Sequence, residues 1–102
     1  MEYKAGSRWK SAVCATEVVV VRPPNAPVTL ACGGEALVAL DEDAPAGLTL
    51  DAALADGSKL GKRYTDEAVG IEVLCTKPGD GTLTVDGRPL QLQGAKPLPA
   101  SD

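Results

Sequence analysis

The sequence predicts a small all-β domain, mainly antiparallel, built as a sandwich or barrel of about seven short strands with at most one short helix. Three observations carry this prediction. Short runs rich in Val and Leu recur between turns that bear Gly and Pro. Asp86-Gly87 stands between the alternating runs TLTV and RPLQL, a type I′ hairpin signature. Gly33-Gly34 lies between VTLAC and EALVAL in the same way, because paired glycines supply the positive φ that two-residue loops demand.

The chain divides into a flexible arm over residues 1–10, loosely ordered unless Trp9 docks it, a β domain over 11–93 and an extended or disordered tail over 94–102. The arm is polar and carries Lys4, Arg8 and Lys10 against Glu2, with Trp9 able to anchor it to the body. Val18, Val19, Val20 and Val21 form the first clear strand, since β-branched side chains disfavour helix. Four valines in succession do not alternate, so both faces of this strand are expected to be covered. Pro23 and Pro24 end it, having no N–H to donate to a ladder.

In the next strand Val28, Leu30 and Cys32 share a face, and Thr29 and Ala31 the other. EALVAL returns after the glycine turn. DEDAPAG is an acidic loop, and LTLDAALADG offers a short helix or a single turn, with Asp51 as its cap. Further on, Ile71, Val73 and Cys75 share a face. Leu83 and Val85 then come into phase with Leu90 and Leu92 across the Asp-Gly turn. The proline-bearing end of the chain has no period.

With 102 residues there is enough chain for one core. Phe is absent and aromatics make up 3%, so packing falls to Val, Leu and Ala, and the core should be thin. The net charge of −4 argues against a nucleic-acid binder, which needs a basic face. The first ten residues lack an apolar signal region, and the valine run is far shorter than the ~20 residues that cross a bilayer. A cytoplasmic protein without membrane contact is expected. In that compartment its three cysteines are free thiols or metal ligands rather than a disulfide framework.

Histidine is absent, which removes Ser–His–Asp chemistry and the commonest neutral-pH general base. Asp41, Glu42 and Asp43 lack the alternation of a calcium loop, and GSKLGKR lacks the spacing and hydroxyl of a phosphate loop. Both read as solvated turns. Cys14, Cys32 and Cys75 are each alone, without the C-x-x-C turn that gives a metal two ligands at once. Cys32 and Cys75 fall in phase with apolar neighbours, so they read first as small core residues. A zinc or iron site, or a thiol function, on Cys14, Cys32 and Cys75 is the alternative. Cys14, with Arg8 and Lys10 close in sequence, is the best candidate for a reactive thiol.

These readings favour a non-catalytic binding or accessory domain that works by protein–protein contact and self-association, as a homodimer. Its expected contacts are Val18 to Val21, Trp9 as an anchor, and Lys59, Lys62 and Arg63, a basic cluster that follows six acids without an intervening base from Glu35 to Asp56.

Overall fold

The two hairpin turns form as their chemistry requires. Gly33 and Gly34 take φ values of 66° and 94°, and Asp86 and Gly87 take 49° and 83°, the paired positive values of type I′ loops. The structure, a computed structural model, describes residues 3–92. The expected tail over 94–102 lies outside the described residues.

Ten strands occur among these residues: β1 (Arg8–Lys10), β2 (Glu17–Arg22), β3 (Leu30–Cys32), β4 (Glu35–Ala36), β5 (Val38–Ala39), β6 (Arg63–Asp66), β7 (Ile71–Lys77), β8 (Leu83–Val85), β9 (Arg88–Pro89) and β10 (Gln91–Leu92). Every pairing is antiparallel. The larger sheet has the order β10-β6-β7-β2-β1-β5 and the smaller β4-β3-β8-β9; the larger ends at β10 and β5 without closing into a barrel. No α-helix forms among the described residues. Segment 48–57 yields only a 3-10 turn, Ala52–Leu54, capped by the Asp51 carboxylate, which accepts from the Ala53 amide at 2.9 Å.

One hydrophobic cluster draws on both sheets. Val18, Val20, Tyr64, Ile71, Val73 and Cys75 come from the larger, and Leu30, Cys32, Leu83 and Val85 from the smaller. Each fully buried Leu or Ile here contributes roughly 1.5–3 kcal/mol.

Several expectations differ from the structure. Ten short strands form among the described residues rather than about seven, and EALVAL divides into β4 and β5, which belong to different sheets. The valine strand is not covered on both faces: Val18 and Val20 are buried, Val19 is half-buried and Val21 is 41% exposed. By alternation Val21 shares the outer face with Val19, and the β2–β7 register shift between Val20 and Arg22 breaks regular pairing beside it. The polar arm is also more built than its composition suggests. Arg8–Lys10 forms β1, hydrogen-bonded to β2 on one side and β5 on the other. Tyr3 is buried, and its ring packs on Trp9 with centroids 4.8 Å apart. The Trp9 indole N–H donates to Ser7 Oγ at 2.9 Å. A buried phenol and a neighbouring indole thus do what the three-residue strand could not do alone.

Candidate functional site

Cys14 sits in the loop between β1 and β2, and Cys32 ends β3. Their Sγ atoms are 3.6 Å apart although the residues belong to different segments of the fold. Cys32 is fully buried and Cys14 partly so. Cys75, one face of β7, stays outside this pair and donates its thiol to the Lys77 carbonyl at 3.1 Å. Among the described residues, no group of three or more Cys, His, Asp or Glu side chains converges as metal ligands would.

The loop is arranged around Ser11. Its Oγ accepts the amides of Val13 and Cys14, both at 3.1 Å. The Cys14 thiol also donates to this oxygen at 3.3 Å, and the Ser11 O–H is free to rotate toward the sulfur once it ionises. Thr16 Oγ1 stands 3.3 Å from the same sulfur. Ser11 and Thr16 are themselves buried, so water does not compete for these hydroxyls.

The electrostatic outcome is a split between two neighbouring thiols. Burial raises Cys14, but the Ser11 and Thr16 hydroxyls and the backbone amides of Thr16 and Gly81 together outweigh it and bring the thiol down from 9.0 to about 7. Cys32 is pushed up to about 11, chiefly by burial, with the charge on Cys14 adding to the effect. Burial also raises Cys75. Ionisation of the pair therefore begins at Cys14, near pH 7, while Cys32 stays a thiol. Arg8 and Lys10, the cations expected to activate Cys14, are not among the causes.

The roof of the site is the segment Gly79–Gly81, between β7 and β8, where the chain passes from the larger sheet to the smaller. Neither glycine has a positive φ, so neither is there for backbone freedom. Space decides instead. A Cβ at Gly81 would lie 2.7 Å from Cys32 Sγ and 3.2 Å from Cys14 Sγ; one at Gly79 would lie 3.0 Å from Cys14 Sγ and collide with Thr16. The segment is held down by a bridge between Ser58 and Gly79 and by the Ser58 hydroxyl, which donates to the Gly81 carbonyl at 2.7 Å.

Neither a protein-family model, nor a curated protein, nor a solved structure matches this chain.

The other expected contact residues are scattered. Val18 and Val20 lie in the core, Trp9 packs on Tyr3, and Lys59, Lys62 and Arg63 are exposed. Arg63 pairs with Glu72 at 3.3 Å, neutralising a carboxylate whose side chain is only 4% exposed. Ser11, Thr16, Gly79 and Gly81 complete the thiol site and were not among the expected residues. Their signal was present as S-x-x-C-x-T and G-x-G, but both patterns also describe ordinary turns.

Proposed function

We propose that this chain is a thiol protein whose chemistry runs through Cys14. The observation that carries the reading is the pair of buried hydroxyls, Ser11 and Thr16, each 3.3 Å from Cys14 Sγ: they accept from the thiol and turn to donate to the sulfur once it ionises, which favours the thiolate. A thiolate is the nucleophilic form of cysteine, and partial exposure lets small electrophiles and oxidants reach it. The substrate class is therefore a small oxidising or electrophilic molecule. Cytoplasm suits this reading, since all three cysteines are free. The two sheets are read as the layers of a small open sandwich, with the thiols where the chain crosses between layers.

The reading is tested by alkylation with iodoacetamide followed by peptide mass spectrometry across a pH series. Cys14 is expected to react first in the folded protein, with Cys32 and Cys75 following only on denaturation. Equal protection of all three thiols up to pH 9 would sink it.

Protein–protein contact with self-association is a second reading, supported by two large apolar side chains exposed among the described residues, Val21 at 41% and Leu60 at 61%. Sedimentation equilibrium of wild type and Val21→Asp tests it. A concentration-independent monomer in wild type would remove it.

A further inference from the structure

We propose that Cys32 is the resolving thiol of Cys14, so that oxidation of Cys14 ends in an intramolecular Cys14–Cys32 disulfide. This rests on the reading of Cys14 as the reactive thiol and adds a partner and a product to it.

Geometry carries the assignment. The sulfurs are already in van der Waals contact at 3.6 Å, and a disulfide brings them to about 2.05 Å. Cys14 lies in a loop, where the backbone can follow its side chain, whereas Cys32 is fixed in β3 by pairing with Glu35 and Leu83. The bare face of Gly81 borders both sulfurs, so no side chain stands in the path of closure. Cys32 is fully buried, which keeps external thiols and oxidants from it directly. Cys75 is near enough to feel the charge on Cys14, but its thiol is turned to the Lys77 carbonyl, whereas Cys32 Sγ already touches Cys14 Sγ.

The chemistry balances with a hydroperoxide as oxidant. The Cys14 thiolate attacks the terminal peroxide oxygen; an S–O bond forms, the O–O bond breaks, and the alcohol or water leaves after taking a proton from solvent. Cys14 is now a sulfenic acid. The Cys32 sulfur then attacks Cys14 Sγ; the S–S bond forms, the S–O bond breaks, and hydroxide departs as water with the Cys32 proton. Two thiols and one peroxide become one disulfide, one alcohol and one water. A thiol reductant in excess reverses the product by exchange at the more exposed sulfur, Cys14.

The test treats the full chain with equimolar hydrogen peroxide, quenches with N-ethylmaleimide, digests it without reductant and maps the peptides. The expected result is a linked peptide pair containing Cys14 and Cys32, with Cys75 alkylated. In Cys32→Ser, and in Cys32→Ala should the serine disturb the core, the expected product is a dimedone adduct at Cys14. Cys75→Ser should leave the linked pair unchanged. Cys14 trapped by dimedone in wild type without any Cys14–Cys32 linkage would overturn the resolving role while leaving Cys14 reactive. Cys14 inert to both peroxide and iodoacetamide would overturn the thiol reading and this inference with it.

Discussion

The phenolic oxygen of Tyr3 accepts a hydrogen bond from the Leu30 amide at 3.0 Å, tying the first described residue to the middle of the smaller sheet. Leu30 is fully buried, so no solvent stands ready to replace that oxygen. Tyr3→Phe keeps the ring on Trp9 but leaves a buried amide without its acceptor, which should destabilise the protein by about 1–3 kcal/mol. Urea unfolding followed by Trp9 fluorescence measures this. A loss indistinguishable from zero would mean that another group takes over the amide.

The pH dependence of Cys14 follows from its environment. Its alkylation rate should reach half its maximum near pH 7, well below the ordinary thiol value of 9.0. Ser11→Ala and Thr16→Val should each move that midpoint upward, since burial, which raises the thiol, is then opposed by fewer donors. The linked effect on stability has a defined sign. A depressed folded-state value means that the fold favours the thiolate, so this contribution is full above pH 9 and is lost as pH falls through about 7. Comparing wild type with Cys14→Ser at several pH values isolates it.

Gly81→Ala introduces a Cβ against both sulfurs at a residue with no positive φ, so its effect is steric. Overpacking of this kind costs about 1–3 kcal/mol. The same substitution placed on Cys32→Ala should cost less, because the nearest clash has been removed. A double-mutant cycle reads the difference as a coupling between the two positions.

Asp86 is the only non-glycine residue with positive φ among the described residues, at 49°. Its carboxylate also accepts from the Thr29 amide at 2.9 Å. Asp86→Asn retains an acceptor and a residue type that tolerates the left-handed region. Asp86→Ala loses the acceptor and gains the conformational penalty, so it should destabilise by about 1–2 kcal/mol relative to Asn. Equal stability of the two variants in thermal unfolding would contradict this.

The parts of the fold legible in the sequence are those whose cause is local. Asp86-Gly87 and Gly33-Gly34 demand positive φ, and that demand is met by the turn whatever surrounds it. The apolar phase of Leu30 and Cys32 in β3, and of Ile71, Val73 and Cys75 in β7, depends only on alternation within one strand, and all five are buried; Val28 is buried too but lies before β3. What could not be read was settled at a distance. Arg8–Lys10 has two cations in three residues and becomes a strand because β2 and β5 flank it. Leu92 has the phase of a partner for Leu83 and Val85, yet it pairs with Tyr64 in the other sheet. The meeting of Cys14 and Cys32 depends on sheet order and on the close passage of Gly81, and no periodicity encodes either.

The change of sheet near the end of the described chain bears on how the protein folds. β9 belongs to the smaller sheet and β10 to the larger, with Leu90 alone between them. The β8–β9 hairpin closes locally, but β10 can pair with β6 only once the two sheets lie together. β2 must also find β7, Glu17 opposite Lys77, before the larger sheet has a centre. Such distant closures hold the chain in an entropically costly search, so refolding should run on the millisecond-to-second scale. It should proceed as one cooperative transition, with Cys14 and Cys32 open to solvent until segment 79–81 closes over them.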